Sequence, residues 1–370
     1  VCADGCDFVT IQAAIDDDGT ADGAIIEVRD PVHTEAGIVV NKDVTIRGLG
    51  AESTIVQAHE TVGQAPDRVF YIEEGTVAIL DDMTIRHGRP SVQEDCGGGI
   101  LTWGSLTLKR CIVSDNVANG GGGVCSRGSG ELTLVNCTVR NNVADGIAPM
   151  SFQCGSGGGI TGGGKSLTLI NTTVSDNQAG IAKVSVNNPR PRSLGGGVHI
   201  GCNCAAVFTN STISGNKAFR DGGGVSLHGT LRAANCTIAG NTASGRGGGI
   251  YVRGPLDYVN TIIAGNSGRE GNCAVYGDFM GTGSVGTSSN NLVEDGSCDA
   301  ELSGDPMLGP LADNGGPTLT HALLPDSPAI DAVSAISCTV STDQREVIRP
   351  IALTSASTPC DIGAFEVDVE

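Results

Sequence analysis

Two neighbouring stretches of this chain are one phrase written twice, 25 residues apart at every position. Ala206-Val-Phe-Thr-Asn-Ser-Thr-Ile-Ser-Gly-Asn216 leads into Gly222-Gly-Gly-Val-Ser-Leu227. Leu231-Arg-Ala-Ala-Asn-Cys-Thr-Ile-Ala-Gly-Asn241 leads into Gly247-Gly-Gly-Ile-Tyr-Val252. Each unit holds two or three short strands between Asn and Gly turns and cannot bury its apolar face alone. Units of this length must stack, which is the logic of a β-solenoid.

The phrase extends in both directions. Its closing Asn recurs at Asn116, Asn142, Asn177, Asn216, Asn241 and Asn266, at intervals of 26, 35, 39, 25 and 25 residues. Six positions earlier lies a second turn column: Arg110, Asn136, Asn171, Asn210, Asn235 and Asn260. Both long intervals open between the Asn and the Gly triplet, so they are loop insertions on an unchanged coil. Stacked Asn side chains satisfy one another and the turn backbone, and Asn tolerates left-handed conformations. The expected fold is all-β, a right-handed parallel β-helix whose Asn column is a structural ladder.

Strand alternation places Leu106 and Leu108, Leu132 and Leu134, and Leu167 and Leu169 inward. Ile85, Val113, Val139, Val174, Ile213, Ile238 and Ile263 form a second inward stack. Beside it runs a column of mostly small residues that includes Cys111, Cys137 and Cys236, read as buried thiols, although adjacent coils leave a Cys111–Cys137 bond open. A threonine column (Thr84, Thr138, Thr173, Thr212, Thr237), interrupted by Ile112 and Ile262, points outward. Stacked threonines stabilise a sheet by themselves, and ordered-water binding is the sharper alternative. Trp103, Tyr251 and Tyr258 are the outward aromatic candidates for sugar binding.

The chain divides into an N-terminal cap (1–23), a β-helix (24–271) and a C-terminal cap (272–370). In the first, Cys2 and Cys6 bracket a tight turn, and Phe8, Ile11 and Ile15 share a helical face able to cover the first coil. The following phrase, Thr34-Glu-Ala-Gly-Ile-Val-Val-Asn-Lys-Asp-Val-Thr-Ile-Arg-Gly48, resembles the opening coils of pectin-lyase-like β-helix proteins. Ile213-Ser-Gly-Asn216 with Gly222-Gly-Gly-Val225 is similar to the polymorphic outer-membrane protein repeats of adhesins. In the last segment Cys273–Cys298 is expected to close a hairpin, and Cys338–Cys360 to close a Pro-rich cover for the last coil. Asp305-Pro-Met-Leu-Gly-Pro310, Pro325-Asp-Ser-Pro-Ala-Ile-Asp331, Asp343-Gln-Arg345 and Cys360-Asp-Ile-Gly-Ala-Phe-Glu366 resemble the choice-of-anchor Q module of secreted bacterial β-helix proteins. That likeness implies a cell-surface setting. Such chains usually carry an anchor after the module, and none is expected within these residues.

Fourteen cysteines without a CxxC pair point to oxidising, extracellular surroundings more than to zinc. A start at Val1 is what removal of a signal peptide leaves. No stretch approaches the roughly 20 apolar residues of a membrane span. The net charge of −19 argues against nucleic acid as a partner and is compatible with calcium or with solubility alone. No cofactor is required by any motif. Cys96, Cys125, Cys154, Cys202 and Cys204 are expected to staple the loop-bearing edge, which also carries the basic knot Asn188-Pro-Arg-Pro-Arg192.

Gly159-Ile-Thr-Gly-Gly-Gly-Lys165-Ser166 fits a phosphate-binding loop by pattern, but a strand instead of a helix is expected after it. The sequons at Asn136, Asn171, Asn210 and Asn235 fall on a turn column and are unsuited to carry sugar. No catalytic constellation stands out. If the chain is an enzyme, His87 and Arg89 in the first loop, with His199 and His228 after Gly triplets, are the candidates to converge on one edge. The leading expectation is a structural or adhesive protein able to self-associate into fibres or layers. Its partner is then a cell-surface or matrix component or a polysaccharide. The alternative is a lyase or glycoside hydrolase acting on an acidic polysaccharide.

Overall fold

The computed structural model describes residues 1–91, 96–146, 157–180, 194–278, 281–338, 340–350 and 359–367. The basic knot at 188–192 and Cys154 lie outside the described residues. Among those described, the strands form four parallel sheets stacked coil on coil and two small antiparallel pairs, Gly277–Asp278 with Gly281–Thr282 and Leu308–Ala312 with Thr320–Leu323. Sheet A has ten strands, from Ala24–Glu27 to Ser284–Ser289, and sheet B ten, from Val32–Thr34 to Leu292–Val293. Sheet C has nine, from Ile38–Val40 to Cys273–Val275, and sheet D six short ones, from Val117–Ala118 to Ser267–Arg269. In each regular coil the chain passes from C to A to B to D. The expected inward Leu pairs lie on sheet A and the Ile/Val stack on sheet B, all of them buried. Gly159–Ser166 spans the end of one strand and the start of another, with no helix after it.

The ladder explains why long insertions leave the stack undisturbed. Asn142 Nδ2 donates to Asn177 Oδ1 at 2.9 Å, and the Asn142 backbone N–H donates to the same oxygen at 3.0 Å. Asn177 repeats this on Asn216, at 3.0 Å for both bonds, across an insertion of the chain. The last acceptor is Asn272, only six residues after Asn266. Next to the ladder, the middle glycine of each triplet has no room for a side chain. A Cβ on Gly223 would lie 2.2 Å from the Gly248 carbonyl oxygen.

The ends are closed differently. Helix α1 (Ile11–Asp16) is capped by Thr10, and its first two amides donate to the Glu35 carboxylate at 2.7 and 2.9 Å. Ile11 and Ile15 are fully buried on the first coil. At the other end the solenoid runs past 271: Cys273–Val275, Ser284–Ser289 and Leu292–Val293 are strands of sheets C, A and B. The expected hairpin is therefore one more coil, and Cys273–Cys298 ties it to the segment that covers it. Tyr258, expected outside, points inward, and its hydroxyl donates to the Cys298 carbonyl at 2.6 Å.

The C-terminal segment does more than cover the last coil. It runs back along the outer face of sheet B as a strap. Gln344 Nε2 donates to Thr173 Oγ1 and Thr318 Oγ1, both at 2.8 Å, and Thr212 Oγ1 donates to Gln344 Oε1 at 2.7 Å. Ala364 N donates to Thr237 Oγ1 at 3.1 Å. Ile262 and Leu292 join Leu323, Val333, Ile362 and Phe365 in a second apolar core between sheet and strap. The threonine column is thus outward but covered at Thr173, Thr212 and Thr237, which removes ordered-water binding there. The positive-φ turn column serves the same strap: Asn136, Asn210 and Asn260 donate to Glu346, Thr342 and Ser337.

A buried ionic knot holds the strap shut. Arg349 Nη1 meets Glu366 Oε2 at 2.5 Å, Arg345 Nε meets Asp343 Oδ2 at 2.8 Å, and Cys338–Cys360 closes the base. Burial pushes Glu366 up from 4.5 to about 7, against the pull of Arg349. The folded strap therefore holds this proton more tightly than the unfolded chain. The contribution is full below about 4.5 and is lost as pH rises through about 7. Asp361 shifts the same way through burial, whereas His321, pushed down by burial, acts in the opposite sense. Protease nicking of the strap should rise across this window in the native protein, and Glu366→Gln should flatten the profile there. A second expectation concerns the ladder: Asn177→Ala removes four buried hydrogen bonds of the side chain and orphans their partners. Chemical denaturation should show a loss on the order of 3 kcal/mol.

Candidate functional site

With sheet B occupied by the strap, the outer face of sheet C is where side chains of unusual chemistry gather. Position by position in the parallel register, Thr161, His199, Ser226, Tyr251 and Ala274 form one outward column. The residue that follows each strand forms a second column, which brings His228 and Tyr276 beside the first. The outcome is a row of rings. His199 and His228 stand edge to face with centroids 5.1 Å apart, His228 and Tyr251 at 6.4 Å, and Tyr251 and Tyr276 at 6.1 Å.

Arginines from neighbouring coils close over the tyrosine end. The Arg246 guanidinium lies 4.2 Å from the Tyr276 ring centroid, and Arg253 lies 5.9 Å from the same ring. Arg220 and Arg269 complete the lining of an open cleft of about 560 Å³. Its carboxylates are already engaged: Asp221 faces Arg220 at 3.3 Å and accepts from the Arg246 backbone, and Glu270 faces Arg246 at 3.0 Å. Four guanidiniums against two carboxylates leave the cleft positive on a chain of net charge −19. The cation–π contact orders Arg246 over Tyr276, while its Nε is engaged by Glu270.

Protonation follows from burial. Desolvation holds the Tyr251 phenol above its usual value, with Asp221 adding to the effect and Arg253 and Arg246 opposing it. The ring is therefore a neutral hydroxyl aimed into a cationic cleft. His199 is fully buried, and neither ring nitrogen has a hydrogen-bond partner among the described residues. Burial, aided by the neighbouring His228, drives its pKa well below the usual value.

Of the residues expected to converge, the structure brings His199 and His228 together and places the other two elsewhere. His87 occupies the ladder turn between sheets B and D at φ 62°, with Nδ1 at 2.9 Å from the His59 carbonyl oxygen. Arg89 faces Asp145 at 3.9 Å in that corner region. Gly88 takes the ladder slot itself, accepting no side-chain role and donating to Asn116. Cys96 and Cys125 are bonded to each other, and Cys204 is a buried thiol whose pKa is pushed to about 12. Cys111, Cys137 and Cys236 are buried free thiols. Among the described residues no group of three His, Cys, Asp or Glu is placed to hold a metal ion, and no helix is long and apolar enough to cross a membrane.

Arg220, Asp221, Arg246, Arg253, Arg269 and Tyr276 were not singled out by the sequence reading. The signal was present. Arg220, Arg246 and Arg269 all fall within two residues of the glycine that opens the next sheet C strand, in three successive coils.

Residues 68–230 match the family model described as right handed beta helix region. No curated protein sequence matches the chain. Among solved structures it is similar to the pectate lyase Pel9A, with 12% identity and a TM-score of 0.56, covering 97% of this chain and 91% of that one. It is also similar to the A-module of the mannuronan C-5 epimerase AlgE4 of Azotobacter vinelandii, with 15% identity and a TM-score of 0.46, covering 77% and 83%. The fold is a right-handed parallel β-helix. Within such a β-helix, one position per coil on an outer face repeats at a single spacing, and so the cleft is built from four coils. The ring row makes one prediction: by NMR, the His199 imidazole should stay neutral between about pH 5 and 8, where an ordinary histidine titrates.

Proposed function

We propose that this chain is an extracellular β-helix that binds an acidic polysaccharide in the arginine–tyrosine cleft, in an adhesive role. The observation that carries this is the concentration of Arg220, Arg246, Arg253 and Arg269 with two tyrosines in one open cleft of an otherwise acidic protein. Guanidinium forks match carboxylates in a bidentate manner, and phenol rings offer flat faces to sugar rings. Disulfides at Cys2–Cys6, Cys96–Cys125, Cys273–Cys298 and Cys338–Cys360 support the extracellular setting. Fibre assembly is a weaker reading, because α1 covers the first coil and Leu302 pairs with Leu292 over the last. The fold of a pectate lyase alone leaves function open.

A second reading is favoured by Tyr251. In a β-elimination the guanidiniums would neutralise the uronate carboxylate, the His228 imidazole beside Tyr251 would take the C5 proton, and the neutral Tyr251 phenol would protonate the leaving C4 oxygen. Hydrolysis is the weaker enzymatic option, since Asp221 and Glu270 are each held by arginine instead of flanking an empty gap.

Calorimetric titration with oligogalacturonate, alginate oligomers and neutral dextran tests the binding. The acidic glycans should bind and dextran should not. Arg246→Ala with Arg253→Ala should weaken binding by at least about tenfold, the loss of roughly 1.4 kcal/mol or more. Equal binding of dextran, or no effect of the double variant, would overturn the proposal. Ultraviolet absorbance from an unsaturated uronyl product, lost in Tyr251→Phe, would select elimination over adhesion alone.

A further inference from the structure

The residue after each sheet C strand donates its backbone N–H to the coil before it, so these residues form one continuous column along the solenoid. Trp103 donates to Ile72, Arg127 to Thr102, Gly163 to Ser126, Gly201 to Gly162, His228 to Ile200, Arg253 to Leu227 and Tyr276 to Val252. The cleft already described occupies the last two places, with His228 of the ring row next to it. At the opposite end the same chemistry returns. The Arg127 guanidinium lies 6.0 Å from the Trp103 ring centroid, and Arg68 lies 5.9 Å from the ring of Tyr71, one coil further on. Trp103 and Tyr71 rest partly exposed against Leu101 and the Cys96–Cys125 disulfide, a small apolar cluster separate from the main core. A disulfide and a dedicated apolar bed fix these rings in place, as a rigid contact platform requires.

We propose that Trp103 with Arg127 is a second subsite for the same acidic glycan, so that the ligand is a long linear chain lying along the solenoid axis. The proposal rests on the reading of the arginine–tyrosine cleft as a polyanion site. Trp103 and Tyr276 are six coils apart, about 29 Å at roughly 4.8 Å per coil. Between the two ends His199, Gly201 and Ser226 are buried, so the ligand makes its contacts at the two platforms and bridges the covered stretch between them. Joining two platforms on a rigid rod makes the second contact intramolecular, so affinity depends on ligand length and not only on ligand charge. A short oligomer fills one platform. A chain long enough to span both gains the second at little further entropic cost.

The sequence holds a single tryptophan, so its emission reports this subsite directly. Digalacturonate and decagalacturonate are titrated while binding is followed by calorimetry and Trp103 emission together. The expected result is that decagalacturonate binds at least about tenfold tighter than the dimer and shifts the emission at saturation. Trp103→Ala, and independently Arg127→Ala, should remove the length advantage, bringing decamer affinity down to that of the dimer. Decamer binding that depends on Arg246 and Arg253 but leaves emission and both subsite variants unaffected would overturn the second subsite while sparing the cleft. Failure of both oligomers to bind, or binding indifferent to Arg246 and Arg253, would overturn the cleft reading and the track with it.

Discussion

Everything on the outside of this molecule depends on one buried row of amides. From Asn142 onward each ladder oxygen accepts two hydrogen bonds from the preceding rung, one from a side chain and one from the backbone, as Asn177 Oδ1 does from Asn142. Each ladder amide also donates to a strand carbonyl, as Asn142 does to Val113 at 2.9 Å. A slip of one residue breaks all of these at once, in an interior where unpaired polar groups are costly. The register is thereby held through insertions of very different length. A residue chosen once per coil then appears on the surface at a constant spacing, and a one-dimensional pattern becomes a physical track.

The two outer faces that result are put to different uses. Sheet B presents threonine hydroxyls and aliphatic side chains, a mixed surface that the C-terminal strap satisfies group by group. Gln344 offers a donor and an acceptor to Thr173 and Thr212, while Phe365 and Ile362 take up Ile262. That pairing converts an exposed ladder into a second core and leaves the strap dependent on a buried arginine–glutamate contact. Among the described residues no such cover lies over Arg246, Arg253 and Tyr276. Tyr276 and the guanidiniums are ordered by one another and stay partly exposed.

How much of this could be read from the chain depends on whether the signal was periodic. The inward Ile/Val stack and the Asn ladder repeat coil after coil, so each position is supported by its equivalents. The last coil was missed because its ladder rung, Asn272, comes six residues after Asn266 instead of about 25, hiding the repeat. Tyr258 follows the inward alternation of its strand, yet a tyrosine reads as a surface residue until the Cys298 carbonyl that accepts its hydroxyl is in view. The strap had no local signature of where it docks: Gln344 meets Thr212 across 132 residues. His87 and His199 looked alike as histidines near loops, but one sits in the ladder turn and the other on an outer strand. The arginine cleft is assembled from single residues on consecutive coils, a pattern visible only when the coils are laid over one another.

A positive cleft on a chain of net charge −19 raises the question of which charge a polyanion feels. The answer depends on distance. At physiological ionic strength the screening length is about 8 Å, so acidic surface groups further than this from the cleft act on it only weakly. Repulsion from that surface is therefore largely removed by salt. Contacts made within hydrogen-bond range in a partly desolvated cleft are screened much less. A carboxylate placed against the guanidiniums beside Tyr276 would then feel those charges more than the acidic exterior. Selectivity of this kind comes from geometry and not from bulk charge. It favours a ligand that presents carboxylates at regular intervals on a flat, ring-bearing chain over a flexible polyanion of equal charge.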